Sequence, residues 1–203
     1  MPTRPSTAST MEPTLLTAEE FLDWLQPGVH ADLIYGEKFM HSPVNFRHAR
    51  LVNFLDRLLA RYVETKKIGE VFHEVVAVRL SSRNVFLPDI CFFTNEQVAR
   101  FKPAHAPFAP TFVAEVLSEW SADRDVGPKF AAYEEHGVQE YWILDPINLA
   151  HRFYRREGEF LVEFGSEGDI IRAHSIPGFF VKRSWLNPDA LPDTSGGLQE
   201  ILG

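Results

Sequence analysis

The segment Thr111–Pro146 most constrains the fold, because it reads as a strand, a helix and a second strand. The first strand, Thr111–Ser118, is apolar on both faces, which is typical of a central strand covered on both sides. The pattern predicts a helix over about Val126–His136 and a strand over about Gln139–Leu144. A strand–helix–strand unit of about 35 residues indicates a right-handed crossover between parallel strands, and hence an α/β fold.

Glu115 lies in the middle of this apolar strand. An ionised carboxylate in such a place costs several kcal/mol unless a cation, a metal or hydrogen-bond donors compensate it. Buried acids with strongly perturbed surroundings tend to mark functional sites. Groups elsewhere in the chain must therefore compensate Glu115.

Length and composition indicate one globular domain. The chain has 203 residues, of which 45% are hydrophobic, enough for one well-packed core. We expect the domain to span 15–186. Residues 1–14 are predicted to form a disordered N-terminal tail, and 187–203 a loose C-terminal tail.

The net charge and the cysteine content limit the kinds of binding partner and the cellular compartment that we expect. A formal net charge of −8 argues against bulk electrostatic attraction to nucleic acid, but it does not exclude a metal-dependent nuclease, whose site needs acidic ligands. The single cysteine, Cys91, excludes a disulfide within the chain and fits a reducing cytoplasm. No apolar run approaches the roughly 18 residues of a membrane-spanning helix. We therefore expect a cytoplasmic protein without membrane association.

The clearest helix is predicted over about Phe46–Glu64, with apolar residues repeating at three and four. One side of this helix carries Arg50, Arg57 and Arg61, and Arg47 lies nearby. They form either an ordinary solvated face or a stripe that holds nucleic-acid phosphates. His48 falls in the first turn, where a histidine is more often packed or associated with the cap than catalytic.

The remaining chain is predicted to be rich in strands. A strand turned at Gly36 is expected over Ala31–Met40, and strands over about Glu70–Leu80 and Val85–Phe93. Hairpins are expected between His151 and about Val181. After the central strand, Asp125 is a candidate N-cap, and Gly137 is expected to end the helix.

Asp89 and Glu115 lie on successive predicted core strands, and Lys129 lies on the helix that follows. Metal-assisted phosphodiester hydrolysis uses these residue types. Carboxylates hold Mg²⁺, the metal activates water, and a lysine orients that water or stabilises developing negative charge. The alternative is structural: Asp89 caps a turn after Pro88, and Glu115 and Lys129 form a buried ion pair. Spacing alone leaves both interpretations open.

These residues carry a resemblance to a known family. The order of Pro88-Asp89, Glu115–Ser118, Lys129 and Gly137–Pro146 resembles the Uma-type restriction endonuclease family of the PD-(D/E)XK nuclease superfamily. Asp32–Glu37 and the Arg47-His48 pair resemble its ELIDGE and RH signatures, so the resemblance covers roughly Thr17 to Phe164. It implies a restriction-endonuclease-like α/β core, with a central mixed sheet flanked by helices, to which the hairpins predicted from the sequence pattern are added as extra C-terminal β-hairpins.

The resemblance also implies DNA cleavage that depends on Mg²⁺ or Mn²⁺. Asp89 and Glu115 match the metal-binding acids, and Lys129 matches the catalytic lysine, which in this family has moved from the position of Leu117 to the following helix. Auxiliary roles are implied for other residues of the matched motifs; they are Asp32, Glu37, His48, Asp125 and Tyr133. Asp32 stands where the family prefers glutamate, and Tyr35 where it prefers aspartate.

Three functions are compatible with these residues. The first is a metal-dependent DNA endonuclease, for which a homodimer is the simplest way to cut both strands. The second is a nuclease-like module that binds nucleic acid or protein without useful catalysis. The third is another enzyme that uses the same two carboxylates, such as a glycosidase; it would need an open cleft with aromatic platforms.

Overall fold

A computed structural model describes residues 15–74 and 76–203. The predicted N-terminal tail, 1–14, lies outside the described residues. The helices are α1 (Ala18–Trp24), α2 (Phe46–Lys66), α3 (Asn95–Val98), α4 (Ala122–Val126), α5 (Pro128–Glu135) and α6 (Thr194–Leu202). The strands are β1 (Ala31–Ile34), β2 (Glu37–Met40), β3 (Gly69–Phe72), β4 (Val78–Arg79), β5 (Val85–Phe86), β6 (Ile90–Thr94), β7 (Phe112–Val116), β8 (Glu140–Leu144), β9 (Arg152–Glu157), β10 (Phe160–Phe164), β11 (Ile170–Arg172) and β12 (Phe180–Lys182).

The central sheet has six strands in the order β10–β9–β8–β7–β6–β3. β7 and β8 pair in parallel, with Phe112 opposite Glu140, whereas the other neighbours pair antiparallel. The predicted parallel crossover and the mixed sheet are both confirmed. Every residue of β7 and of β8 is buried, as expected for central strands.

The two faces of β7 point into different layers. Phe112, Ala114 and Val116 pack in the cluster formed with α2. Val113 packs on the opposite face, in the cluster that contains Tyr133 of α5. Because side chains alternate along a strand, Glu115 lies on the same face as Val113. This alternation directs the carboxylate toward α5.

A smaller antiparallel sheet in the order β2–β1–β5–β4 packs beside the central one. Its β1–β2 hairpin turns at Tyr35 and Gly36, whose φ angles are 50° and 89°. Two central residues with positive φ suit a two-residue hairpin turn, because that twist matches the flanking strands. The predicted turn at Gly36 is confirmed, and the hairpin places Asp32 on a strand whose residues are all buried.

Two predicted single strands are each divided between the two sheets. The run Val85–Phe93 forms β5 and then β6, with a break over Leu87–Asp89. Pro88 lies in this break, since it has no N–H to donate to a ladder. The run Glu70–Leu80 is similarly split into the end of β3 and β4. Both expectations of one continuous strand are therefore wrong, and Asp89 lies where the chain passes from the small sheet to the central one.

The helix predicted over about Val126–His136 is confirmed as α5, which begins at Pro128. A short helix that was not predicted, α4, precedes it. The two helices are separate because proline cannot donate the hydrogen bond that would join them. Asp125 lies inside α4 and is not the N-cap, which corrects that expectation. Gly137 follows the helix with a φ of 87°, and its predicted role in ending the helix is confirmed.

The C-terminal tail, 187–203, was expected to be loose, but part of it forms the helix α6. The predicted hairpins form as β9–β10 and β11–β12, and α6 then packs on α2. The sequence pattern missed α6 because Gly196 and Gly197 disfavour a helix. Gly197 is buried, however, where an added Cβ would lie 3.5 Å from Leu58. The boundaries of the domain at 15–186 remain a prediction.

No helix in the described part of the chain is long and apolar enough to cross a membrane.

The packing of α6 predicts a measurable contribution to stability. Leu198 is partly buried against the α2 cluster, whereas Gln199 is exposed. Leu198→Ala should lower the free energy of unfolding by about 1–2 kcal/mol, because part of a leucine side chain returns to water. Gln199→Ala should change it by less than about 0.5 kcal/mol. Equal urea midpoints for the two variants would show that α6 does not pack in solution.

Candidate active site

A cavity of about 330 Å³ opens between the two sheets and the N-terminal parts of α2 and α4. Its wall is rich in ionisable side chains, which come from both sheets and three helices. These residues are His30, Asp32, His41, His48, Glu74, Asp89, Glu115, Arg124, Asp125 and Lys129. The fold therefore brings together most of the predicted site residues.

Lys129 is the buried cation of this cavity, and its side chain is only 4% exposed. Its Nζ lies 2.5 Å from Oε1 of Glu115, 3.2 Å from Oδ1 of Asp125 and 3.5 Å from Oδ2 of Asp32. Each carboxylate comes from a different element: β7, α4 and β1. Asp125 and Lys129 are four residues apart, but they meet across the break at Gly127-Pro128.

This arrangement keeps Lys129 protonated. Burial by itself lowers the pKa of a lysine, because it penalises the charged form. Asp32, Glu115 and Asp125 outweigh that effect and raise the pKa of Lys129 well above its usual range. Lys129 is therefore a fixed ammonium group across the physiological pH range.

The pKa values of the three carboxyl groups around Lys129 shift in different directions. Burial raises the pKa of Glu115 well above its usual range; Lys129 opposes the shift, while Asp125, Asp89 and Asp32 add to it. Burial and the neighbouring acids likewise raise the pKa of Asp125. The pKa of Asp32 is lowered, because Lys129 and His41 outweigh its burial. The Lys129–Glu115 contact thus stabilises the ammonium without fully stabilising the carboxylate, since one ammonium faces several acids.

Glu115 is held by more than the lysine. The Tyr133 hydroxyl donates to its Oε1 at 2.9 Å, and the backbone N–H of Asp89 donates to its Oε2 at 3.3 Å. Tyr133 lies one turn beyond Lys129 on α5, so the two contact the same oxygen from one helix face. Oε2 is the oxygen that remains nearer to Asp89.

Asp89 faces Glu115 from the start of β6. Its Oδ2 accepts a hydrogen bond from the backbone N–H of Val116 at 2.7 Å, and the Nε2 of His48 lies 3.3 Å from the same oxygen. This cross-strand bond replaces the turn cap expected in the structural interpretation of Asp89. The other element of that interpretation, the buried Glu115–Lys129 ion pair, is present.

His48 is buried against Asp89, in the first turn of α2. Burial lowers the pKa of a histidine, but Asp89 outweighs it and the pKa of His48 is raised. The Nδ1 atom of His48 is buried and has no hydrogen-bond partner among residues 15–74 and 76–203. His48 is therefore packed at the cavity wall in contact with Asp89.

His41 was missed in the sequence. Its Nε2 lies 3.1 Å from Oδ2 of Asp32, the oxygen that also faces Lys129. The backbone N–H of His41 donates to the His30 carbonyl across the hairpin at 2.9 Å. A two-residue turn pairs the residues on either side of it symmetrically. The turn at Gly36 could therefore have predicted that His41 lies opposite His30, close to Asp32.

Several predicted residues lie away from the cavity. Glu37 is exposed on β2 and does not line it. The Nε of Arg47 donates to the Pro146 carbonyl, and its guanidinium pairs with Asp189. That contact anchors the C-terminal segment. The other arginines of α2, which are Arg50, Arg57 and Arg61, are exposed. Arg61 pairs with Glu64.

The donors present are suited to a hard divalent cation. Asp32, Glu115 and Asp125 surround the ammonium of Lys129, and Asp89 lines the same cavity. The carboxyl groups therefore outnumber this ammonium, and a bound cation would compensate the excess of acids. Within the described residues, no group of three or more histidine, cysteine, aspartate or glutamate side chains is arranged to hold a metal. A metal here would take Asp89 and Glu115 and complete its shell with water, as Mg²⁺ commonly does.

Comparisons with known proteins agree with this architecture. The family model described as "Uma2: Putative restriction endonuclease" matches residues 18–184. The uncharacterized protein sll1609 of Synechocystis sp. is 27% identical over 148 residues, which are 71% of this chain and 83% of that protein. A crystal structure described as a putative nuclease belonging to DUF820, from Anabaena variabilis, superposes with a TM-score of 0.66 and 18% identity. That superposition covers 92% of this chain and 99% of the other. The predicted fold class is confirmed.

The buried cluster predicts how stability responds to loss of Lys129. In chelator at pH 7, Lys129→Met should lower the free energy of unfolding by about 3–5 kcal/mol, because it leaves buried acids without their cation. Glu115 and Asp125 have raised pKa values in the folded protein, so protonation favours the folded state. The loss should therefore shrink as the pH falls toward the usual carboxyl range and grow as the pH rises.

Denaturation curves at several pH values test this, with Lys182→Met as the control. Lys182 pairs with Glu200 at the surface, so its loss should cost at most about 1 kcal/mol. Adding Glu115→Gln to Lys129→Met should recover part of the loss. A loss that grows on acidification would contradict the proposed excess of negative charge.

Proposed function

This chain belongs to the Uma2 family, described as putative restriction endonucleases, and we propose that it is a metal-dependent DNA endonuclease. In this proposal Asp89, Glu115 and Lys129 are the catalytic residues, and phosphodiester hydrolysis takes place in the acidic cavity. The proposal rests chiefly on one observation. A permanently charged ammonium, Lys129, contacts a strand-borne glutamate whose second oxygen faces Asp89.

Asp89 and Glu115 would hold Mg²⁺ or Mn²⁺. When bound, the metal polarises the phosphate and lowers the pKa of an attacking water. Asp89 is anchored by the Val116 N–H, and Glu115 by Tyr133 and Lys129. The two ligands are thus fixed by hydrogen bonds of their own, which limits the reorganisation required on binding.

Lys129 acts as a cation and not as a base in this proposal, because its neighbours hold it protonated. Its three N–H groups face Asp32, Glu115 and Asp125, so it acts through its positive charge, which stabilises the negative charge that develops on the phosphoryl oxygens. Asp32 and Asp125 are positioning residues that fix the ammonium. Tyr133 positions Glu115, and His48 positions Asp89.

DNA is the proposed substrate, and the exposed arginines of α2 are the proposed contacts to its phosphates. A homodimer is proposed for cutting both strands, since two related sites then meet one duplex. These assignments follow the family relationship and the residue types on α2.

A second function is favoured by specific observations. The net charge is −8, and Glu115 already has a strong cationic partner in Lys129, which competes with a metal for the same carboxylate. Tyr35 also lacks the carboxylate that the family prefers. These features suit a nuclease-like module that binds nucleic acid or protein with little catalysis, and such binding would persist in Asp89→Asn.

The nuclease proposal predicts metal-dependent cleavage of supercoiled plasmid that is lost in chelator. Asp89→Asn and Glu115→Gln should reduce cleavage below detection, because each removes a metal-binding charge. Lys129→Met should retain binding of Mn²⁺, measured by calorimetry, and lower the cleavage rate by about 10²–10³-fold. Glu163→Gln, an exposed acid on β10, is the matched control and should cleave like the parent.

Two results would refute the nuclease proposal. One is a folded parent protein that binds Mn²⁺ and cleaves no DNA. The other is cleavage that persists undiminished in Asp89→Asn. The first of these would leave the binding module as the function to pursue.

The α2 arginines predict a salt-dependent contribution to DNA binding. Replacing Arg50, Arg57 and Arg61 together by glutamine should weaken binding and flatten the plot of log affinity against log salt by about 0.9 per lost phosphate contact. A triple variant with the same charge change at other exposed positions is the control; it carries Arg100→Gln, Lys102→Gln and Arg172→Gln. Equal slopes of log affinity against log salt in the two triple variants would show that these arginines form an ordinary solvated face.

A further inference from the structure

An exposed tryptophan lies on the rim of the acidic cavity. Trp120 follows β7 in the turn before α4, lines the cavity, and is 64% exposed. In contrast, Trp142 and Trp185 are buried at 0% and 8% exposure. Val44, another wall residue, is 43% exposed. The cavity thus combines an acidic floor with an apolar rim that includes one large aromatic face.

Arg124 stands beside this rim, four residues beyond Trp120. It lines the cavity, and its guanidinium lies 5.2 Å from the centre of the Phe39 ring. No carboxylate of the described residues lies within ion-pair distance of Arg124. The same short segment therefore presents an aromatic face and a cation that is not neutralised by a neighbouring acid.

We infer that Trp120 and Arg124 form a nucleotide subsite at the mouth of the cavity, which takes an unpaired base on the indole and its phosphate on the guanidinium. The inference rests on the proposed nuclease function and narrows its substrate to DNA with an unpaired base at the site, either a single strand or a frayed stretch of a duplex. In a duplex the base faces are covered by neighbouring base pairs. Only an unpaired base can offer its face to Trp120.

The charge of the chain supports this substrate class. A net charge of −8 gives little of the bulk attraction on which duplex binding depends, since that attraction comes from many phosphate contacts and the release of their counterions. Stacking of a base on an aromatic side chain adds affinity without such contacts. One cation at the mouth is then enough to orient a phosphate toward the floor, where Lys129 and the two metal-binding acids lie.

The test measures binding of a fluorescently labelled twelve-nucleotide thymidine strand in chelator, where no cleavage occurs. Trp120→Ala should weaken binding at least about fivefold, the smallest loss expected for one stacked base. Trp120→Phe should recover most of it, because a phenyl ring still stacks. Phe160→Ala is the matched control: Phe160 is 65% exposed on β10, outside the cavity wall, and its loss should leave affinity unchanged.

Two further readouts separate stacking from a general loss of structure. The tryptophan fluorescence of the parent should be quenched by the single strand, and this quenching should be absent in Trp120→Phe although that variant still binds. Arg124→Gln should weaken single-strand binding and reduce the salt slope by about 0.7, the value for one phosphate contact on a single strand. The same strand annealed to its complement should bind less tightly than the free strand.

The inference and the nuclease proposal fail in different ways. Plasmid cleavage that is normal in the parent, combined with equal single-strand affinity for the parent and Trp120→Ala, would overturn the subsite alone. Binding that depends on Trp120 in a protein that cleaves no DNA would support the subsite and refute the nuclease. Quenching by a soluble oligosaccharide, with no response to the oligonucleotide, would overturn the subsite in favour of a carbohydrate platform.

Discussion

The site depends on one interaction, the contact of the buried Lys129 ammonium with Glu115, 2.5 Å away. Asp32 and Asp125 share the same ammonium, so β1, β7 and α4 are all tied to α5 through one charged group. Burying these ions costs several kcal/mol each, and packed apolar side chains often replace such groups without loss of stability. The cluster is therefore weak as a stabilising device, and its position at an open cavity is better explained by chemistry.

The surrounding groups compensate the acids only in part. His48 faces Asp89 and His41 faces Asp32, yet Glu115 and Asp125 retain raised pKa values. A protein that keeps unfavourable negative charge in its interior accepts lower stability at that point, which is common where a site must bind a ligand of opposite charge. The four acids share one solvent-connected wall, so a cation entering from the cavity would meet them together.

How far the site could be predicted depended on whether local sequence determined the geometry. The alternation of β7 fixes the direction of Glu115, and the parallel crossover brings Lys129 over it, so both were predictable. Asp89 was predictable as a residue, but the passage between two sheets at Pro88 was not, because strand pairing is decided by distant partners. His41 required the register of a hairpin. α6 forms although its glycines have low helix propensity, because packing against α2 outweighs local propensity.

Family membership and fold do not by themselves settle what this cavity does, since one fold carries many functions. The informative feature is the contrast between an acidic chain and the placement of its cations. Lys129 is buried at the floor of the cavity, and Arg124 stands at its mouth without an acidic partner within the described residues. A protein that attracted DNA through an overall positive charge would not need its cations at such specific positions. The proposed recognition of a nucleic acid would therefore depend on locally placed cations, at the opening of the cavity and on the exposed face of α2.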